Sequence, residues 1–72
     1  MKDFCMVVKD YNIKRLIGHK NKLFLLTKGE IILVMFDKEN TPMLQYLENK
    51  GLPQDVEEEL KKKLKEVYPN GF

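Results

Sequence analysis

The sequence predicts an α+β domain: a small antiparallel sheet of three or four strands, followed by two C-terminal helices. Three observations point there. Two apolar runs flank a tight Lys28-Gly29 turn, a further apolar segment precedes them, and the last third carries capping residues and apolar stripes at helical spacing.

The hairpin is the clearest element. Leu23 to Thr27 and Glu30 to Phe36 are β-compatible runs separated by two residues that include a glycine, which is the signature of a two-residue hairpin turn. Such a turn fixes the register. It sets Leu26 opposite Ile31, Leu25 opposite Ile32, Phe24 opposite Leu33 and Leu23 opposite Val34. Side chains alternate across a strand, so one face holds Phe24, Leu26, Ile31, Leu33 and Met35, and the other Leu23, Leu25, Ile32, Val34 and Phe36. Both faces are apolar. A half-solvated antiparallel sheet alternates apolar with polar, so this hairpin needs cover on two sides.

Around it, Phe4 to Val8 reads as a first strand ended by Lys9-Asp10. Residues 11–17 fit a helical turn or a strand equally, because Ile13, Leu16 and Ile17 suit both spacings. Thr41-Pro42 reads as an N-cap and first helical residue. A short helix over 42–50 follows, with Met43, Leu44 and Leu47 as its stripe and Gly51 as its C-terminal cap. The second helix spans 53–67, where Val56, Leu60, Leu64 and Val67 form one stripe. Its acidic residues come first and its lysines later, which suits the helix dipole. The expected core is Phe4, Met6, Val8, Phe24, Leu26, Ile31, Leu33, Met35, Met43, Leu47, Leu60 and Leu64.

Seventy-two residues make a single domain, 1–72, with no internal repeat or linker. A core this small supplies only about 3–5 kcal/mol, and small domains usually add disulfides, a metal or oligomerisation. Cys5 is the sole cysteine and His19 the sole histidine. Neither a disulfide nor a four-ligand zinc site is available, and no metal or cofactor is expected. A homodimer is therefore expected, with Leu23, Leu25, Ile32, Val34 and Phe36 as its interface. The longest apolar run, Ile31 to Phe36, is far shorter than a bilayer span. With no secretory leader pattern and one unpaired cysteine, a cytoplasmic protein is expected. The chain has no Ser, Ala or Trp, and one arginine against twelve lysines. That bias suggests an AT-rich genome, such as that of a phage, an archaeal virus or a low-GC bacterium.

Candidate chemistry is sparse. Cys5 and His19 lack an orienting third group. Asp37 and Glu39 lack the further oxygen donors a cation needs. The four glycines are scattered and form no phosphate loop. Catalysis is not expected. Residues 1–36 carry seven basic and three acidic side chains, while residues 37–72 carry six and eight. The basic stretch Lys9, Lys14, Arg15, His19, Lys20 and Lys22 is a candidate contact for a phosphate backbone, although a single arginine disfavours base-specific readout.

The order strand 30–36, helix 42–50, Gly51, helix 53–67 is similar in topology to the ribbon-helix-helix DNA-binding arrangement. It departs from it in lacking outward polar strand residues and in its extra N-terminal β region. Two function classes follow. The first is a small non-enzymatic protein-interaction or regulatory module, a homodimer docking on a larger partner. The alternative is a weak, sequence-tolerant nucleic-acid binder using residues 9–22.

Overall fold

Short β-rich runs joined by two- and three-residue turns can only pair with their neighbours in sequence, and the result is an antiparallel meander. The computed structural model describes residues 5–19, 22–28, 30–48 and 51–71, without side-chain detail at 17–19. The strands are β1 (Cys5–Val8), β2 (Tyr11–His19), β3 (Lys22–Thr27), β4 (Glu30–Phe36) and β5 (Pro42–Tyr46), and one helix follows, α1 (Gln54–Val67). They form a five-stranded sheet in sequence order. The α+β class and the helix expected over 53–67 are found. Among the described residues the sheet has five strands rather than three or four, and there is one helix rather than two.

The central hairpin has the register derived above, from Thr27 opposite Glu30 to Leu23 opposite Val34. The ambiguous segment 11–17 is strand, paired to β1 through Met6–Ile13 and Val8–Tyr11. Lys9 (φ 56°) and Lys28 (φ 43°) open the two-residue turns in the left-handed region, as primed hairpin turns require. Lys28 also sets its ammonium 4.7 Å from the centre of the Tyr11 ring. In β2 the pairing with β3 slips by one between Arg15 and Gly18. Leu16 and Ile17 together then oppose Phe24, a β-bulge that bends the strand and increases its twist.

The helix expected over 42–50 is instead β5, and the cause lies in the preceding turn. Asp37 Oδ1 accepts the N–H groups of Glu39 (2.8 Å) and Thr41 (2.9 Å). The Asn40 N–H bonds the Asp37 carbonyl, the Asp37 N–H bonds the Thr41 carbonyl, and Asn40 takes φ 61°. This is a three-residue hairpin loop with its left-handed closing residue supplied by Asn. Thr41-Pro42 therefore starts an edge strand, where proline is tolerated. Gly51 caps no helix. It has φ +102°, and a Cβ there would lie 3.1 Å from the Tyr46 ring. The loss of the first helix also removes the ribbon-helix-helix likeness.

One face of the sheet carries the core. Val8, Ile13, Leu23, Leu25, Ile32 and Val34 are fully buried against Val56, Leu60 and Leu64 of α1. Met6, Tyr11, Phe36, Leu44, Tyr46, Leu52 and Tyr68 pack around them. The expected faces are thus exchanged. Val8, Leu60 and Leu64 are core as expected and Met6 flanks it. Phe24, Leu26, Ile31 and Leu33 are only half-buried, on the face away from the helix, while Met35, Met43 and Leu47 are exposed. Phe4 lies outside the described residues.

Both ends of α1 are fixed to the sheet. Near its start, Lys9 pairs with Asp55 (3.0 Å) and the Tyr46 hydroxyl donates to Glu57 Oε2 (2.5 Å). Near its end, the Lys65 ammonium donates to the carbonyls of Asn40 (2.6 Å) and Glu39 (3.2 Å). The Phe36 and Tyr68 rings meet edge to face at 6.2 Å.

Two stability predictions follow from this packing. Leu60→Ala is expected to cost about 2–5 kcal/mol in urea unfolding, whereas Met43→Gln stays within about 0.5 kcal/mol; equal costs would contradict the exchanged faces. Asn40→Ala is expected to lose about 1–2 kcal/mol because alanine resists a left-handed φ, and Asn40→Gly is expected to be tolerated.

Candidate functional site

Pairing partners share a face, so the register also defines the surface opposite α1. Its middle row runs from Leu16 through Phe24 and Leu33 to Gln45, and a second row runs Cys5, Lys14, Leu26, Ile31, Leu47. Leu47 joins through its N–H to the Ile31 carbonyl at 3.1 Å. Extending the β3–β4 register by one sets Lys22 beside Met35, which pairs with Met43. Val7 and Asn12 complete the β1–β2 corner.

The exposure of this face is concentrated. Six large apolar side chains are exposed among the described residues, and five of them, Val7 (62%), Leu16 (42%), Met35 (37%), Met43 (51%) and Leu47 (46%), lie here. Phe24, Leu26, Ile31 and Leu33 fill the centre, half-exposed. Scattered exposed leucines are ordinary, but a contiguous apolar surface marks a contact site. Among the side chains described on it, its chemistry is mainly aliphatic and thioether, with Phe24 as the one phenyl ring; the His19 position also falls on this face through its pairing with Lys22. The charged residues at the described strand positions of the face are Lys14 and Lys22, and there is no Asp or Glu among them.

The residues expected to form a dimer interface are elsewhere. Leu23, Leu25, Ile32 and Val34 are fully buried under α1, and Phe36 packs against the same core. A second copy cannot reach them without displacing the helix. The basic stretch is also divided. Lys14 and Lys22 lie on the open face. Arg15 pairs with Leu25 on the helix side and is half-buried. Lys9 stands in the β1–β2 turn against Asp55, and that hydrogen bond raises its pKa and lowers that of Asp55. His19 pairs with Lys22 in the backbone ladder, and Lys20 lies outside the described residues.

Other polar groupings are modest. A shallow depression between Lys9 and the outer side of α1 is bordered by Asp55, Glu58, Glu59, Lys62, Lys63 and Glu66, so that three lysines stand against four carboxylates. Cys5 is exposed on edge strand β1. Among the described residues, no group of three or more His, Cys, Asp or Glu side chains is placed to hold a metal ion. None of their helices is long and apolar enough to cross a membrane.

At the helix start, the hydrogen bond from Tyr46 holds the Glu57 carboxyl below its ordinary value, against the opposing effect of burial and with help from Lys61 (3.2 Å). Burial and then the bond to Glu57 raise the Tyr46 hydroxyl. A depressed carboxylate contributes stability that is present above its ordinary pKa of 4.5 and is lost as pH falls through its folded value. Stability measured from pH 7 downward is therefore expected to fall less steeply below about 4.5 in Glu57→Gln than in the native chain; an unchanged acid limb would contradict this pairing.

The open face could have been found from the flanking strands. Asn12 and Lys14 alternate with Tyr11 and Ile13, and Gln45 alternates with Leu44 and Tyr46. Once both segments are strands, these polar residues mark the solvent side. No protein-family model, curated protein or solved structure matches the chain.

Proposed function

We propose that this chain is a small non-enzymatic protein-docking module that presents the open face of its sheet to a larger partner. The observation that supports this reading is the concentration of exposed aliphatic and methionine side chains on that face. Methionine is flexible and polarizable, and it suits surfaces that adapt to another protein. A homodimer that packs sheet against sheet would use this face too, since the other is occupied by α1. The nucleic-acid reading is less well supported. Single-strand binding uses successive aromatic platforms above a basic groove, whereas the side chains described on this face offer Phe24 alone and the cations are divided between the two sides of the sheet.

The test compares tagged native chain with Met43→Lys/Leu47→Lys, which places charge at two already exposed positions, and with Lys62→Ala/Glu66→Ala on the outer helix. Retention of a specific partner from the native cell is expected for the native chain and the helix variant, and loss for the face variant with its circular dichroism unchanged. Retention by the face variant would contradict the proposal.

A further inference from the structure

We infer that the occupant of the open face is an acidic amphipathic helix of a partner protein, with an apolar stripe flanked by carboxylates. This deepens the docking reading and rests on it. The argument begins from sign. The middle of the face is Phe24, Leu26, Ile31, Leu33, Met35 and Met43. Its charged strand positions are Lys14, next to Leu26, and Lys22, next to Met35, with no carboxylate among the described positions. Acidic residues are plentiful elsewhere. Asp55, Glu57, Glu58, Glu59 and Glu66 lie on α1, across the sheet, and Asp37 is engaged within its own turn. At its described strand positions the face is therefore apolar with charge of one sign, and Asp10 and Glu48 stand beyond the strand ends.

That sign separates the possible occupants. A two-fold contact sets a patch against its own copy, so a second chain would bring four lysines together with no carboxylate at the described strand positions to oppose them. An acidic partner is complementary, and complementarity of this kind directs specificity and encounter. The geometry agrees. Lys14 and Lys22 lie on neighbouring strands two rows apart, with the Leu16–Phe24–Leu33 row between them. An apolar helical stripe laid on that central row leaves carboxylates on the helix flanks beside both ammonium groups. Helix recognition by an apolar face through residues at i, i+3, i+4 and i+7 is an established binding mode.

The experiment uses two labelled synthetic helices of about 18 residues, long enough to hold helical structure. They share one leucine stripe and carry either glutamate or lysine on its flanks. Binding is read by fluorescence anisotropy at low and physiological salt. The glutamate peptide is expected to bind about tenfold more tightly at low salt, with the difference shrinking as salt screens it. Lys14→Glu/Lys22→Glu is expected to reverse the preference, and Met43→Gln/Leu47→Gln to weaken both peptides by removing apolar contact without adding charge. Equal affinity for the two peptides, or preference for the lysine peptide by the native chain, would overturn the inference and leave docking intact. A dimer in sedimentation equilibrium that dissociates on Met43→Lys/Leu47→Lys would replace the acidic helix with a second copy. Binding of neither peptide, with the chain monomeric, would overturn the inference and the docking reading together.

Discussion

One helix must cover an apolar sheet that has two faces. A helix of fourteen residues is about 21 Å long and, with its side chains, 10–12 Å across. It can lie on one side of five strands. Everything else follows from which side it takes. Val56, Leu60 and Leu64 select Leu23, Leu25, Ile32 and Val34, and the opposite faces of the same strands are left half-exposed. Tyr46–Glu57 at one end and Lys65–Asn40 at the other hold the helix along that side. Such polar contacts add orientation, while the apolar stripe supplies most of the stabilisation.

The sheet itself is built from local instructions. Lys9 and Lys28 open two-residue turns, Asp37 and Asn40 define a three-residue turn, and the bulge at Leu16–Ile17 adds twist to β2. Each strand then has only its sequence neighbour to pair with. Edge strand β5 is five residues long and starts with a proline. Both features limit pairing along that edge.

Much of the architecture was legible in the residues, because hairpin register and the final amphipathic stripe are short-range properties. The helix expected at 42–50 gives way to a strand for an equally local reason. Thr-Pro begins helices, but it also begins edge strands, and the Asp37–Asn40 turn that decides the matter depends on a side chain accepting two backbone N–H groups. The choice of buried face was not legible from the hairpin alone, since Leu26 and Leu25 are equally apolar. It became so only with β2 and β5 in place. Asn12, Lys14 and Gln45 then identify the open face, and Glu30 and Thr27 show that a polar residue can nevertheless be buried on the other. The candidate site is hidden in the sequence because its leucines and methionines are as apolar as core residues.

The central claim is that α1 covers one face and leaves the other open to contact. Its most direct test is paramagnetic relaxation of side-chain methyl groups by a soluble gadolinium chelate, recorded on the full chain at low concentration. Strong relaxation of Leu26, Ile31, Leu33, Met35 and Met43, with protection of Leu25, Ile32, Leu60 and Leu64, is the predicted result. Protection of both sets, or relaxation of the second set in place of the first, would contradict the account.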